Sequence, residues 1–173
     1  EFNDVEGLAR ELSYGDVACV LAEPALTNIG IVLPEPGFLD ELRRLTREAG
    51  TLLIIDETHT FCCGPGGYTA AHGLEPDMIT IGKPIAGGIP TGAYGMTDEM
   101  AGRVLDHTVW EAADVGGVGG TLAGNALSMA AARATLEEVL TDSAFKSMIS
   151  TGELFEAGVQ SVIDEYGLDW TVT

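Results

Sequence analysis

The sequence predicts an α/β protein whose helices cover a mostly parallel sheet. Three short, largely apolar segments have the length of buried strands, a fourth segment with two glycines could be another, and segments of helical length lie between or after them. Strands that alternate with helices in this way are typical of a layered α/β domain. In such sheets ligands bind beyond the carboxyl ends of the strands, so the residues that follow each strand are candidates for a functional site.

Polar side chains follow three of the four predicted strands. The strands are residues 17–21, 52–55, 78–81 and 91–96. Glu23 follows the first strand, Asp56 ends the second and Lys83 follows the third. Because the carboxyl ends of parallel strands lie at one edge of a sheet, we expect these three side chains to converge there. In the fourth strand, Gly92 and Gly95 allow another backbone to approach closely.

Two long segments are predicted to be helices. Residues 34–50 place apolar side chains on one face and three arginines on the other, and Gly50 stands at the position of a C-terminal cap. Residues 121–140 follow a glycine-rich loop at 115–120 and contain several alanines, whose small side chains favour a closely packed helix.

The last part of the chain is predicted to begin a second domain. Another helix runs to about Tyr166, where Gly167 ends it, and residues 168–173 resemble the start of a strand. We therefore divide the chain into residues 1–140 and residues 141–173.

The chain is strongly acidic. It carries 27 Asp and Glu residues against 8 Lys and Arg residues, for a formal net charge of −19. Such a surface repels phosphate backbones, so we predict no nucleic-acid partner. An acid-rich, lysine-poor surface also suits a protein that works in high salt, where ions screen its self-repulsion.

No apolar stretch reaches the roughly 18 residues of a membrane span, and the first residues lack signal-peptide features, so we expect a soluble cytoplasmic protein.

Three cysteines bear on metal binding and redox state. Cys19 lies in an apolar run and is predicted to be a small buried side chain. Cys62 and Cys63 are adjacent, a spacing that rarely allows disulfide geometry. Because the chain has no CxxC pair, we predict no metal site, and we expect reduced thiols in a cytoplasm.

Lys83 and Asp56 together suggest a specific chemistry. A lysine at the end of a buried strand is either a residue whose amine reaches water or a nucleophile that forms a Schiff base. A carboxylate at the end of the most apolar strand would suit pyridoxal phosphate, whose ring nitrogen needs such a partner to stay protonated. Alternatively, Asp56 is a helix cap or a metal ligand, or Asp56 and Glu57 are the paired acids of a nucleotide hydrolase. That enzyme class needs a phosphate loop of the form GxxxxGK followed by Ser or Thr, which this chain lacks.

Four motifs resemble those of the class III aminotransferases, a family of pyridoxal-phosphate enzymes of fold type I. They read EPALTNIG at 23–30, GTLLIIDE at 50–57, GK at 82–83 with AGGIPTGAYG at 86–95, and GTLAGNA at 120–126. The motifs stand in family order with family-like spacing, and they are closest to the glutamate-1-semialdehyde aminomutase-like branch. The last motif has Ala126 where the family has proline. The resemblance implies the large cofactor-binding domain for residues 1–140 and the start of the small C-terminal domain for residues 141–173.

The resemblance implies a role for five positions around the cofactor ring. Lys83 forms the Schiff base and moves a proton, and Asp56 pairs with the pyridinium nitrogen. Thr58 packs on one face of the ring, in place of the usual valine. His59 lies near the phenolic oxygen, where it either tunes the cofactor through a hydrogen bond or simply fills the space. Asn28 lies close to the same oxygen, as in the glutamate-1-semialdehyde aminomutase branch.

The resemblance also implies an assembly. Thr121 matches the threonine that reaches the cofactor phosphate of the partner subunit, which implies a homodimer with shared active sites. A hydroxyl at a helix start suits a phosphate. Alternatively, Thr121 only caps its own helix. Glu23 is expected to be structural and to hold active-site loops.

Three functions remain open at this point. The resemblance implies transfer of an amino group between an amine or amino acid and a keto acid or aldehyde, with pyridoxal 5'-phosphate as cofactor. The first alternative is intramolecular transfer, as in glutamate-1-semialdehyde 2,1-aminomutase, which Asn28 and residues 120–125 favour and residues 58–60 oppose. The second alternative is a non-catalytic scaffold, against which the presence of both Lys83 and Asp56 argues.

Family members are much longer than the 173 residues of this chain. The glycine, serine and threonine cup for the cofactor phosphate, the aromatic residue that stacks on the ring and the residues that bind substrate carboxylates have no counterpart here. We therefore expect a part of a longer protein that is inactive alone.

Overall fold

A mixed four-stranded sheet forms the centre of the protein. The structure is a computed structural model, and it describes residues 1–106 and 120–173. The strands are β1 (Cys19–Ala22), β2 (Leu52–Asp56), β3 (Met78–Ile81) and β4 (Ala93–Met96), and they lie side by side in that order. The first three strands are parallel, and β4 is antiparallel to β3. The predicted α/β class with a mostly parallel sheet is confirmed.

Six helices accompany the sheet in the described residues. They are α1 (Val5–Leu12), α2 (Phe38–Ala49), α3 (Gly67–Ala71), α4 (Asp98–Asp106), α5 (Ala126–Ala134) and α6 (Asp142–Tyr166). Two 3₁₀ turns follow strand ends, at Thr60–Cys63 and Lys83–Ala86, and one π-helical turn at Thr135–Val139 continues α5. No helix among these residues is long and apolar enough to cross a membrane.

The core lies between α2 and the sheet. Leu42 of α2 packs against Leu53 and Ile55 of β2, and these three side chains are almost fully buried. Glycines in the left-handed conformation stand at both ends of α2, with φ of 86° at Gly37 and 67° at Gly50. The predicted helix therefore begins at Phe38 rather than at residue 34, while its end at Gly50 is as predicted.

The prediction that Cys19 is buried is wrong. Cys19 is exposed, and so is Leu21, with 62% of its surface accessible. Both residues belong to β1, which lies at the edge of the sheet. Successive side chains of a strand point to opposite faces, and Val20 and Ala22 take the face that packs on the core. Cys19 and Leu21 therefore lie on the opposite face, which the described residues leave uncovered.

The predicted helix at 121–140 begins later than expected. Asn125 is the N-cap of α5, and its side chain accepts a hydrogen bond from the Ser128 amide at 3.0 Å. Gly124 has a φ of 67°, which prevents a regular helix from extending further back. Thr121 therefore lies in a turn and does not cap this helix. The predicted loop at 115–120 lies outside the described residues except for Gly120.

The last helix is as predicted, but the strand after it is not present. Gly167 ends α6 with a φ of 58°, and its amide donates to the carbonyl of Asp164. Residues 168–173 form no strand in the structure. A strand needs a hydrogen-bonded neighbour, and none of the described strands pairs with these residues. The division of the chain at residue 140 stays a prediction.

Candidate active site

The three predicted polar residues lie at the carboxyl ends of adjacent parallel strands. Glu23 directly follows β1, Asp56 is the last residue of β2, and Lys83 comes two residues after β3. The strand register aligns these ends, because Ala22 pairs with Ile55 and Asp56 pairs with Thr80. This is the edge of a parallel sheet where ligands ordinarily bind.

Asp56 is held as an anion. Its Oδ1 accepts a hydrogen bond from the Thr58 amide at 2.9 Å. Partial burial raises the pKa of Asp56, but hydrogen bonds from Thr58 and Thr80 and the positive charge of Lys83 outweigh burial and hold the pKa below its usual value.

Lys83 has an unusual backbone that its neighbours maintain. Its φ is 47°, in the left-handed region that side chains with a Cβ seldom adopt. Ile85 and Ala86, in the same 3₁₀ turn, are only 2% exposed and fix the turn in place. Strain of this kind costs about 1–3 kcal/mol and is often found at functional sites. Lys83 is exposed to solvent in the part of the chain that the structure describes.

Thr58 and Thr91 lie beside the strand end that carries Lys83. A Cβ atom placed on Gly82 would lie 3.6 Å from Cγ2 of Thr58 and 3.8 Å from the carbonyl oxygen of Thr91. The hydroxyl of Thr91 is buried and has no hydrogen-bond partner among the described residues. The wall of the site next to Lys83 is therefore built from two threonines, and sequence reasoning singled out only Thr58.

His59 is tied to the segment that follows β1. Its Nδ1 is hydrogen-bonded to the hydroxyl of Thr27, and the same hydroxyl donates to Oε2 of Glu23 at 2.9 Å. Oε2 of Glu23 lies 3.7 Å from Nδ1 of His59. Glu23 thus holds a loop of the site, as expected, while the part played by Thr27 was not predicted. Asn28, the next residue, is exposed.

Glu57, which the sequence suggested only as one of a possible pair of acids, is a buried structural carboxylate. It is 0% exposed, and it accepts hydrogen bonds from the Thr60 hydroxyl at 2.6 Å, the Tyr68 amide at 3.0 Å and the Thr69 amide. A Cβ atom on Gly67 would lie only 2.8 Å from its Oε2, so this position needs glycine. Glu57 therefore fixes the start of α3 to the end of β2.

Thr121 lies in the turn that precedes α5, where it is exposed. The start of α5 is joined to the segment after Lys83, because the buried Ser128 hydroxyl donates to the carbonyl of Pro90 at 3.4 Å. The structure therefore brings Glu23, Asp56 and Lys83 to the carboxyl ends of neighbouring strands, and Thr121 lies in the turn before α5.

The cysteines form no disulfide and no metal cluster. All three cysteine residues are free and exposed overall, although the Cys63 sulfur is partly buried. Burial of its sulfur raises the pKa of Cys63 to about 11, with a further contribution from Cys62. No group of three or more His, Cys, Asp or Glu side chains suited to a metal ion occurs within residues 1–106 and 120–173.

Comparison with known proteins identifies the family. The model of the family described as Aminotransferase class-III matches residues 1–168. Glutamate-1-semialdehyde 2,1-aminomutase from Methanosarcina acetivorans is 38% identical, over 99% of this chain and 40% of the relative. The crystal structure of a glutamate-1-semialdehyde aminomutase from Pseudomonas aeruginosa in complex with PMP is 47% identical, with a TM-score of 0.91 over 100% of this chain and 39% of that one.

A transaminase has a similar fold at lower identity. The structure of a β-phenylalanine aminotransferase from Variovorax paradoxus is 28% identical, with a TM-score of 0.86 over 99% of this chain and 39% of that one. The chain thus spans about 40% of the length of the curated relatives it matches. The order of the motifs, the sheet with Asp56 and Lys83 at its edge and the family match agree, and the chain belongs to the class III aminotransferase family.

Proposed function

We propose that the complete protein uses pyridoxal 5'-phosphate to move an amino group between an amine or amino acid and a keto acid or aldehyde. The observation that carries this proposal is that Asp56 and Lys83 lie at the carboxyl ends of adjacent parallel strands, with Asp56 ionised. A relative of 30% identity with a TM-score of 0.84 is described as a transaminase with PLP bound.

The residues of the site fit the cofactor. An ionised carboxylate suits the protonated nitrogen of the pyridine ring, and Asp56 has the lowered pKa that this role needs. An exposed amine at the end of β3 suits a lysine that binds an aldehyde. When bound, the cofactor supplies an electron-withdrawing ring that takes up the electrons released from the substrate.

Lys83 and the residues around it have separate roles at the carboxyl ends of the strands. Lys83 holds the cofactor and carries a proton on its Nζ to and from the substrate carbon. Thr58 packs beside the lysine strand and supports one face of the ring. His59 and Asn28 serve the oxygen side of the ring. Glu57 keeps the chain after Asp56 in place through its contacts with α3.

Two assembly features belong to the same proposal. The described surface carries large exposed apolar side chains, among them Leu122 at 81%, Leu154 at 75% and Phe155 at 71%. A surface of this kind needs cover from the rest of the protein or from a second copy. We infer a homodimer in which Thr121 of one subunit reaches the cofactor phosphate of the other. Three free cysteines favour a cytoplasmic location.

Intramolecular amino transfer is the second candidate. It is favoured by relatives named glutamate-1-semialdehyde 2,1-aminomutase at 38% identity and by Asn28. Residues 58–60 depart from that branch, and transaminases share the fold, so we rank intramolecular transfer second.

A non-catalytic scaffold is disfavoured because it has no need for both Asp56 and Lys83. Incubating the full-length protein with the semialdehyde, without an amino acceptor, separates the two activities, and formation of 5-aminolevulinate at an enzymatic rate reverses the ranking.

A matched pair of lysine variants tests the proposal, because the chain contains only Lys83 and Lys146. Lys83→Ala in the full-length protein should abolish both the absorbance of the covalently bound cofactor and the activity. Lys146→Ala changes an exposed residue of α6 and should keep both. Turnover retained by Lys83→Ala rules out the proposed function.

A further inference from the structure

The side chains of Glu23, Thr27 and His59 form a continuous chain of contacts at the carboxyl ends of the strands. The Thr27 hydroxyl donates to Oε2 of Glu23 at 2.9 Å, and its oxygen is also hydrogen-bonded to Nδ1 of His59. The side chains of His59 and Glu23 are 27% and 26% exposed. Because they are largely shielded, water competes only weakly for these hydrogen bonds. The chain joins the ends of β1 and β2, where Asp56 lies.

The number of hydrogens that these three groups can donate determines the tautomer of the His59 imidazole. An ionised carboxylate only accepts hydrogen bonds, and a threonine hydroxyl has a single proton to donate. Since the Thr27 proton is directed to Glu23, the Thr27 oxygen accepts from His59, and Nδ1 of His59 must carry a hydrogen. Oε2 of Glu23, 3.7 Å from Nδ1, favours a hydrogen on the same nitrogen. In both the neutral and the charged imidazole, therefore, Nδ1 is protonated, and the proton that comes and goes is on Nε2.

We propose that Glu23 and Thr27 are positioning residues that keep the hydrogen of His59 on Nδ1, so that Nε2 exchanges a proton with a ligand in the site. A hydroxyl or ammonium group of the ligand gives its proton to neutral Nε2, and an oxyanion accepts one from the charged ring. The identity of that ligand rests on the proposed function, since the phenolic hydroxyl of the cofactor is a group of this kind. A histidine that only fills space has no need of a fixed tautomer.

The tautomer is measurable without cofactor or substrate. The full-length protein, labelled with carbon-13 and nitrogen-15 histidine and freed of cofactor, is studied by solid-state NMR at a pH where the rings are neutral. The signal lost in His59→Gln identifies this residue, and His72→Gln, which changes an exposed ring, is the control. We expect the carbon shifts of His59 to report hydrogen on Nδ1. Hydrogen on Nε2 in the wild-type protein overturns the proposal.

Two variants of Thr27 separate the hydroxyl from the shape of the side chain. Thr27→Val keeps the shape but cannot accept, and it should release His59 to a mixture of tautomers. Thr27→Ser keeps the hydroxyl and should retain hydrogen on Nδ1. An unchanged tautomer in Thr27→Val means that Thr27 does not control the ring and contradicts the proposal.

The activity of the cofactor-bound enzyme provides a second, independent test. Thr27→Val should lower kcat about tenfold or more with little change in KM, because general acid–base catalysis contributes roughly 100- to 10,000-fold and depends on the geometry of the group that exchanges the proton. Thr27→Ser should rescue most of this loss. A wild-type kcat in Thr27→Val contradicts the positioning role. If the wild-type protein binds no cofactor, the proposed function fails, while the histidine signal of the cofactor-free protein still decides the tautomer.

Discussion

Asp77 accepts two hydrogen bonds from the guanidinium group of Arg43, at 2.8 and 3.0 Å, and a third from the Leu53 amide at 2.7 Å. Arg43 belongs to α2, Leu53 to β2, and Asp77 directly precedes β3. One carboxylate therefore joins the helix to both central strands at the end of the sheet opposite Asp56. The two side chains are largely shielded, with 17% of Arg43 and 22% of Asp77 exposed. These hydrogen bonds fix the relative position of β2, which ends at Asp56, and β3, which Lys83 follows.

Asp77→Asn should destabilise the full-length protein by about 2 kcal/mol, because hydrogen bonds to charged groups contribute about 1.5–3 kcal/mol each and the amide cannot accept all three donors. The matched control is Glu75→Gln, which breaks the pair of Glu75 with Arg47. That pair is 69% and 56% exposed, and surface pairs contribute about 0–1 kcal/mol. Urea unfolding followed by circular dichroism compares the two variants. Equal effects would mean that the shielding of the Asp77 pair has no energetic consequence.

The contribution of Asp77 should depend on pH. The hydrogen bonds from Arg43 hold the pKa of Asp77 below its ordinary value of 3.8, against the opposing effect of partial burial. A carboxyl whose pKa is lower in the folded state contributes stability that is fully present above the unfolded value and is lost as the pH falls through the folded value. The difference in unfolding free energy between wild type and Asp77→Asn should be constant from pH 7 to 5 and shrink below about pH 4. A difference that persists undiminished at pH 3 contradicts this linkage.

Glu57→Gln should loosen the start of α3 specifically. The carboxylate accepts hydrogen bonds from the amides of Tyr68 and Thr69 while fully buried, and a glutamine amide would place donors against donors there. Loss of a buried acceptor costs about 1–3 kcal/mol. Hydrogen exchange followed by mass spectrometry should show faster exchange in a peptide that covers residues 66–72. The exposed Glu35 provides the control variant Glu35→Gln, which should leave that peptide unchanged. Unaltered exchange in Glu57→Gln would show that the carboxylate does not hold α3.

Salt should stabilise this protein more than a neutral one. The net charge of −19 produces self-repulsion that molar salt screens, because the Debye length falls from about 10 Å at 0.1 M to about 3 Å at 1 M. We expect the midpoint of urea unfolding to rise between 0.1 and 2 M KCl. A nearly neutral relative of the family, measured under the same conditions, controls for the general effect of salt. Identical midpoints at both salt concentrations would contradict the hypothesis of a salt-adapted protein.

The parts of the fold that the sequence predicted are those with a local signal. β2 begins with four apolar residues, β3 is apolar except for Thr80, and a polar residue lies at or just after the end of each, so the strands and the positions of Asp56 and Lys83 follow from short patterns. The start of α5 was missed because the helix-favouring alanines extend past a positive-φ glycine, Gly124. The structural role of Glu57 was missed because an acidic residue is ordinarily exposed, and only the structure shows the amides that surround it.

Long-range contacts had no signal of this kind. Thr27 and His59 are 32 residues apart, and although the resemblance places Asn28 and His59 near the same oxygen, no residue pattern indicates that the Thr27 side chain meets His59. The same holds for Arg43 and Asp77, which are 34 residues apart. Such pairs depend on strand register and helix packing, which are properties of the assembled sheet rather than of a segment.

Thr121 is the residue that links the active site to the proposed dimer. The structure removes one alternative for it, because the N-cap of α5 is Asn125 and not Thr121. Asn125→Ala therefore becomes the control for the loss of a cap, and it should lower the unfolding free energy by about 1 kcal/mol. Thr121→Ala changes an exposed turn residue and should leave the unfolding free energy nearly unchanged. If Thr121 binds the phosphate of the partner's cofactor, the same change should weaken cofactor binding in the full-length dimer.

Mixed dimers distinguish binding across the interface from binding within one subunit. In a dimer of one Thr121→Ala subunit and one Lys83→Ala subunit, shared sites would place both defects in one site and leave the other site with an intact lysine and an intact threonine. Each homodimer should be nearly inactive under limiting cofactor, and mixing should therefore restore activity, up to half of the wild-type value per heterodimer. Sites built within one subunit would instead leave one defect in each site, and mixing would restore nothing. Different affinity tags on the two subunits allow the heterodimers to be purified before assay, so an inactive purified heterodimer contradicts the shared site directly.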